Sequence, residues 1–503
     1  MGERSAREHV ALPLLEFRSP RQIACVDLLA HLPIDRRLEV PLHRQVYDAL
    51  RRAILTGMLR PGQRVPSTRS LATQLGMSRL PVLTAYEQLL HEGYLEGRTG
   101  SGTYVCAAPP DRMLRARQLQ NGTPRTKRVS PGRTEGGIRP FRMSLPALDE
   151  FPVTLWARLI ARHARRLAPT HMAYGDPAGV GVLREAIAEH LRTARAVRCE
   201  AEHVAVVSGS QAALRICAAV LLRHGDRVAI EEPGYPGAHA AVVSSGAELV
   251  PVPVDNEGID VASLSAIRPR IRAVYVTPSH QYPLGVSMSA ARRIALLNWA
   301  ARNEAWILED DYDSEYRYVS QPLGALQGMD AGERVIYIGT FSKVLFPALR
   351  VGYLVIPKSQ WEAFLDARDA LDVFSPTLSQ LALADFITEG HFARHLRRMR
   401  GIYLRRREAL LEGLERHCRD VLTVRNADAG LHVATLLPDG VRDMDVLARM
   451  TAHGLTAVAL SKCYIGTRRR NGLLLGFGGF DERTLHTASR TLGDVIRAAI
   501  GRR

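Results

Sequence analysis

The chain has 503 residues, 46% of them hydrophobic, with 67 Lys and Arg against 51 Asp and Glu, for a net charge of +16. That length leaves room for two or three domains and a large core, and the charge points to a polyanionic partner, most often nucleic acid, rather than to a merely basic soluble enzyme. No apolar run is long enough to span a membrane, and charges interrupt Met1–Pro20 where a signal-peptide core would lie. The six cysteines (Cys25, Cys106, Cys199, Cys217, Cys418, Cys463) form no CxxC pair and have no His at metal-ligand spacing. That pattern predicts reduced thiols in a cytoplasmic protein without structural zinc.

Residues 1–37 are weakly patterned and read as a partly disordered extension. Over 38–105 the pattern is that of a compact DNA-binding module. Leu42–Gly57 places Leu42, Val46, Ala49, Leu50 and Ala53 on one helical face, and Arg60-Pro61-Gly62 breaks it. Ser67 can cap a helix over Thr68–Leu75 that Gly76 ends, and Ser78 can cap a second over Arg79–Glu92. Two helices on a tight glycine turn match a helix-turn-helix. Gly93–Val105 then reads as a hairpin, the wing, with its turn at Thr99–Gly102. The stretch PSTRSLATQLGMSRLPVLTAYEQLLHEGYLEGRTGSGTYV closely resembles the winged helix of the GntR family of bacterial regulators. By that resemblance Arg69, Ser78 and Arg79, with Ser67 beside them, would contact double-stranded DNA, and Gly100 would sit at the wing tip against phosphate. Leu80-Pro81 occupies positions where relatives carry polar residues; proline is tolerated in a first helical turn, so base readout there would be apolar.

Residues 106–142 form a basic linker rich in Pro and Gly, with nine Lys and Arg against two acids from Asp111 to Arg142. Such a segment cannot bury a core, and it would act as a solvated tether, as a source of sequence-independent DNA affinity, or as both. Residues 143–503 read as one large α/β unit. Strand candidates His203–Val207, Arg227–Ile230, Ala273–Thr277, Ala305–Glu309, Val335–Gly339 and Gly352–Ile356 alternate with helices, which predicts a mostly parallel sheet. After Leu365 long helices and a smaller α+β segment follow. The very basic helix around Phe392–Arg416 reads as a solvated face first and as a DNA contact second.

The chemistry centres on Ile338–Tyr353, IGTFSKVLFPALRVGY. Lys343 can form a Schiff base if its pKa is lowered, while Thr340, Ser342 and Arg350 can surround a phosphate. A reactive lysine beside a phosphate cradle suits pyridoxal 5'-phosphate (PLP), an aldehyde that carries a phosphate. Upstream, Ser208-Gly209-Ser210-Gln211 follows a strand and opens a helix, a place where free N–H groups bind phosphate. Glu309-Asp310-Asp311-Tyr312 ends a strand, so Asp310 could hold a pyridine nitrogen protonated and Tyr312 could reach a ring oxygen. Glu232-Pro233-Gly234-Tyr235 offers an aromatic for stacking, and Thr277–Gly285 (TPSHQYPLG) offers side-chain donors. Singly, each of these also reads as an ordinary strand-end loop.

Together they resemble fold-type I aminotransferases over roughly 143–500: a large mixed, mostly parallel sheet with a small α+β subdomain. The resemblance implies Lys343 as the internal aldimine, Asp310 on the pyridine nitrogen, Tyr312 on the phenolic oxygen and Tyr235 stacked on the ring. It places Gly209, Ser210, Gln211, Thr340, Ser342 and Arg350 around the phosphate. Tyr174, in AYGDPAGVGVLREAIAEHL, matches a tyrosine that reaches the partner subunit's phosphate, and His280 with Gln281 lies where a ring-binding asparagine is usual. Winged helix, linker and this domain in one chain resemble the MocR/GabR subfamily of regulators, which form head-to-tail homodimers and use the aminotransferase part as an effector sensor. Leu474, in NGLLLGF, stands where aminotransferases carry the arginine for the substrate carboxylate, leaving Arg468, Arg469 or Arg470 as substitutes. The reading is therefore a PLP-dependent transcriptional regulator that senses PLP or an amine or amino-acid effector, with at most vestigial transaminase activity. The alternatives are a working aminotransferase carrying an accessory DNA-binding domain and a regulator that has lost PLP.

Overall fold

The computed structural model describes residues 34–107, 137–318, 324–467 and 469–501. The chain divides into two compact units, Met1–Arg133 and Thr134–Arg503. The extension expected over 1–37 and the linker expected over 106–142 fall mostly outside the described residues. At their described ends the boundaries move. Ile34 packs on the first core and Gln45 exchanges hydrogen bonds with Asp35, so the N-terminal unit reaches back before 38. Phe141 is fully buried and its carbonyl accepts from the Gly476 N–H, so the large unit begins before 143.

In the first unit, α1 (Leu42–Leu55), α2 (Thr68–Gln74) and α3 (Arg79–His91) precede an antiparallel hairpin of β1 (Leu95–Arg98) and β2 (Gly102–Val105). The apolar face of α1 packs Val46, Leu50 and Ala53 with Val82, Tyr86 and Leu89 of α3, and this small core also takes Leu71, Val65 and Val105. Ser67 accepts from the Ser70 N–H at 3.2 Å, so it caps α2 as the sequence predicts. Gly76 follows that helix at φ +61, a conformation costly for other residues, and allows the tight turn into α3. Ser78 holds the N-cap position of α3 with extended backbone, but its side chain makes no capping hydrogen bond, contrary to expectation.

The second unit is built on an eight-stranded sheet: β3 (Val204–Val207), β4 (Arg227–Glu232), β5 (Glu248–Asp255), β6 (Gly258–Ile259), β7 (Ala273–Val276), β8 (Trp306–Asp311), β9 (Val335–Thr340) and β10 (Gly352–Val355). Their order is β3-β10-β9-β8-β7-β4-β5-β6; β9 through β5 run parallel to one another, and β10 lies antiparallel between β3 and β9. β7, β8 and β9 are buried along their whole length, as strands covered on both faces must be, so they read as near-continuous apolar runs. β5 was absent from the sequence prediction. Pro251 and Pro253 interrupt its pattern, and they are tolerated because beyond β5 only Val254 and Asp255 pair, with the two-residue β6. A second, four-stranded antiparallel sheet, β11 (Thr423–Arg425), β12 (His432–Leu436), β13 (Val458–Ala459) and β14 (Gly472–Gly476), forms the smaller α+β segment. The long basic helix is His391–Cys418; it buries Phe392, Leu396, Met399, Tyr403 and Leu410 and leaves Arg394, Arg397, Arg398 and Arg405 exposed.

Removing the Ser67 cap leaves an N–H of α2 without its partner. Ser67→Ala is expected to lower the stability of the N-terminal unit by about 1 kcal/mol, read as a drop in its thermal unfolding midpoint with the fold retained.

Candidate functional site

Three consecutive acids end β8, and the pleat of the strand sends them to different tasks. Glu309 accepts the Leu326 and Gln327 N–H groups at 2.8 Å each, and burial pushes its carboxyl up to about 7. Asp311 is buried too, but the Arg195 guanidinium at 2.7 Å holds it below the usual carboxylate range, and Tyr337 donates to it at 2.6 Å. Asp310, between them, faces the other way. Its Oδ2 accepts from the Tyr275 hydroxyl at 2.7 Å, while its Oδ1 is buried without a hydrogen-bond partner among the described residues. Burial pushes its carboxyl up to about 7, against the Tyr275 hydrogen bond and the nearby Lys343 charge. A buried acceptor left open is costly unless a donor arrives, and the nitrogen of a protonated pyridine ring is such a donor.

Lys343 lies just beyond β9. Burial pushes its amine down to about 8, with Asp313 and Asp310 pulling it back up, and Nζ lies 3.4 Å from the Ser144 carbonyl. The chain therefore brings the predicted lysine and Asp310 into one electrostatic neighbourhood. The phosphate candidates also meet. Gly209 sits at φ +92 as the N-cap of α6 (Ser210–Leu221), where α4 is Val153–Ala164 and α5 Gly181–Arg195, and a Cβ on Gly209 would fall 3.2 Å from an Arg350 Nη. Arg350 Nη2 donates to the Ser208 carbonyl. Gly352 pairs with Thr340, and a Cβ on it would lie 3.0 Å from the Gly209 Cα, so glycine at 352 lets the strand-helix turn approach β10. The Ser342 N–H donates to Thr340 Oγ1 at 3.2 Å. Gln211 donates to the Tyr235 hydroxyl at 3.2 Å, which steadies that ring against Tyr282, 5.3 Å away between centroids.

In the TPSHQYPLG loop the two candidates separate. The Gln281 amide is spent on the Pro233 and Tyr282 carbonyls at 2.9 and 2.6 Å. His280 Nδ1 lies 3.0 Å from the Tyr312 hydroxyl and 2.9 Å from Asp313, so its contacts are with those two side chains. Tyr174 is 88% exposed, with its ring edge-on to Phe374. Sequence reasoning missed Tyr275, which looks like one more apolar strand residue, and the pair of Asp313 and His432 beside His280.

Leu474 is fully buried with Ala434, Leu460 and Cys463, bordered by Tyr282, Leu284 and Leu436. Arg469 donates to the Gly466 carbonyl, Arg470 borders a cleft of about 460 Å³ with Arg425, Asn426, Tyr464 and Glu232, and Arg468 lies outside the described residues. In the first unit Ser67, Arg69, Ser78, Arg79 and Gly100 are all exposed, and Arg79 Nε lies 3.1 Å from Thr68 Oγ1. Leu80 is 70% exposed at the start of α3.

Residues 42–105 match the model of the bacterial regulatory proteins of the gntR family, and residues 147–471 match that of aminotransferase class I and II. The probable rhizopine catabolism regulatory protein MocR of Rhizobium meliloti is 40% identical over 480 residues, covering 93% of this chain and 96% of that protein. The HTH-type pyridoxine biosynthesis transcriptional regulator PdxR of Corynebacterium glutamicum is 36% identical, over 93% and 99%. Among solved structures, the alpha-aminoadipate aminotransferase LysN of Thermus thermophilus superposes with a TM-score of 0.68 at 28% identity, over 72% of this chain and 93% of that one. The chain belongs to the MocR/GabR subfamily of GntR regulators. In this MocR-type regulator the buried leucine at 474 presents no guanidinium, so the site cannot offer there the forked contact an α-carboxylate takes from arginine.

An amine attacks an aldehyde only when neutral. Reductive trapping of PLP on Lys343 is expected to rise with pH and level off above about pH 8, rather than near the ordinary lysine value of 10.5. A trapping rate still climbing steeply above pH 9 would contradict the lowered amine.

Proposed function

We propose that this protein is a PLP-dependent, DNA-binding transcriptional regulator whose large unit takes PLP on Lys343 and reports PLP, or an amine or amino acid reacting with it, to the winged helix. The observation that carries the cofactor half is the open Asp310 Oδ1 beside Lys343. PLP, when bound, supplies an aldehyde that takes up amines and a ring that withdraws electrons. Asp310 would hold the ring nitrogen, Tyr312 would donate to the ring oxygen, and Tyr235 would stack. Gly209, Ser210, Gln211, Thr340, Ser342 and Arg350 would take the phosphate, helped by the free N–H groups that open α6. Ser67, Arg69, Ser78, Arg79 and Gly100 would meet DNA. Exposed Tyr174 supports a homodimer, head-to-tail as in the subfamily, in which it reaches the partner's phosphate site. No helix among the described residues is long and apolar enough to cross a membrane, which fits a cytoplasmic regulator. The rival reading, a working aminotransferase with an accessory DNA-binding domain, is opposed by Leu474.

A ligand shifts DNA affinity only if it favours one state of the protein over another. Titrations of an operator fragment with and without PLP, and with a panel of amines and amino acids, test the reading. Wild-type affinity is expected to change on adding PLP and that of Lys343→Ala to stay fixed, with the absorbance of lysine-bound PLP lost in the variant. Equal DNA affinity of the wild type with and without every ligand would sink the sensor. Arg79→Ala is expected to cost about 1–3 kcal/mol of specific binding if the side chain reaches a base edge, and affinity of the wild type should fall steeply with salt. A flat salt series would remove the phosphate-dominated interface.

A further inference from the structure

We infer that His280 and Asp313 are positioning residues for Tyr312, fixing the direction in which its hydroxyl donates; the inference rests on the PLP reading above. His280 and Asp313 are each 2% exposed. His280 Nδ1 lies 2.9 and 3.1 Å from the two Asp313 oxygens and 3.0 Å from the Tyr312 oxygen. A carboxylate can only accept, so Nδ1 carries the proton and donates. His280 Nε2 is buried without a partner among the described residues, so no acceptor there draws the proton to the other nitrogen. A protonated Nδ1 cannot accept from Tyr312. The phenol oxygen instead takes a share of the Nδ1–H, and the phenol's own proton is left to point elsewhere, toward the site that holds Lys343 and Asp310.

The surroundings keep the dyad in that arrangement. A Cβ on Gly430 would lie 2.1 Å from His280 Cε1 and 2.4 Å from Asp313 Oδ2, so the two side chains are seated directly on this glycine, whose φ is +74. The His432 ring lies 5.2 Å from that of His280 and directs Nε2 to the Pro283 carbonyl at 3.2 Å. Burial pushes His432 down to about 4, so it adds no charge at neutral pH. The ionisable groups around Tyr312 are Asp313, Tyr282, Asp310 and Glu231; around His280 they are Asp313 and His432, and Asp313 and Asp310 act on Lys343. None of them other than His280 is hydrogen-bonded to the Tyr312 hydroxyl. Tyr312 would thereby be a fixed donor to the ring oxygen of PLP, favouring its anionic form and lowering the pH at which the PLP–lysine absorbance changes.

The test titrates the absorbance of PLP bound to the full-length protein against pH. Tyr312→Phe should raise the midpoint by about one pH unit or more, as loss of a hydrogen bond to an anion requires. Asp313→Asn should raise it in the same direction, because without the carboxylate nothing holds the proton on Nδ1; it can move to Nε2 and leave Nδ1 to accept from the Tyr312 hydroxyl. The sign is decisive. Asp313 acting on Lys343 only through its charge raises the amine pKa, so its removal would lower the midpoint. In the Tyr312→Phe background, Asp313→Asn should produce no further rise. His280→Gln, which keeps an N–H donor, should stay nearer the wild type than His280→Leu. A lowered or unchanged midpoint in Asp313→Asn, or a second full rise in the double variant, overturns the inference. A readout independent of PLP is the ¹⁵N spectrum of His280 in the protein alone: a protonated Nδ1 that loses its proton in Asp313→Asn is expected, and an unprotonated Nδ1 in the wild type overturns the inference. Absence of any PLP absorbance in the wild type would instead count against the cofactor reading.

Discussion

The large unit turns on one buried carboxylate. Asp310 is the penultimate residue of the fully buried strand β8, one oxygen satisfied by Tyr275 and the other left open. Such an atom costs a folded protein stability, on the order of 1–3 kcal/mol for an unmet buried polar group, so its persistence needs a compensating donor. The rest of the site is arranged about that need. Lys343 is buried within reach of its field, Tyr275 holds the side chain still, and the parallel strands on either side, β7 and β9, bring the TPSHQYPLG loop and the Thr340–Lys343 segment to the same carboxyl ends.

The division of labour within Glu309-Asp310-Asp311 shows why a sheet can hold three acids in a row. With side chains alternating, Glu309 is tied to backbone N–H groups and Asp311 to Arg195 and Tyr337, while Asp310 faces the other way with its Oδ1 unpartnered among the described residues. The acids on either side are structural, and their burial raises the electrostatic stakes for the one between. That arrangement makes Asp310 hard to leave ionised alone and well suited to share a proton with a basic ring nitrogen, a point that holds whether the bound molecule is processed or merely sensed.

What was legible in the sequence was local. The helix-turn-helix signals, the Gly209-Ser210 turn, the Asp310/Tyr312 spacing and the Thr340-to-Arg350 stretch are contiguous, and each depends on neighbours a few residues away. The units could be separated because a Pro-, Gly- and Arg-rich stretch divides two apolar patterns. What escaped depended on distant chain segments. Tyr275 reads as a strand filler until β7 is paired with β8; Asp313 meets His280 across 33 residues; and Gly430 and His432 come from the loop into β12 and from β12 itself, in the smaller sheet's part of the chain. Ser78 has the residue type of a cap and the N-cap backbone, yet not the hydrogen bond, because residue type grants the possibility and the side-chain rotamer decides it. β5 was hidden by prolines that only a lightly paired flank excuses.

Leu474, read by resemblance as standing where aminotransferases carry a guanidinium, connects these observations to the proposed function. An arginine at that place would be a buried cation needing a carboxylate; leucine needs nothing, and it is packed by Ala434, Leu460 and Cys463 whether or not a ligand is present. Binding energy for an amino acid would then come from the amine end, through Lys343 and its surroundings, rather than from the carboxylate. An enzyme that must orient its substrate for repeated proton transfers loses much by giving up that second anchor, since orientation supplies a large part of its rate. A sensor loses little, because one differential contact is enough to bias an equilibrium between two protein states. Under the proposed reading, the site would keep the lysine that captures an amine and lack the arginine that holds it for turnover, which is the pattern a winged-helix regulator can use.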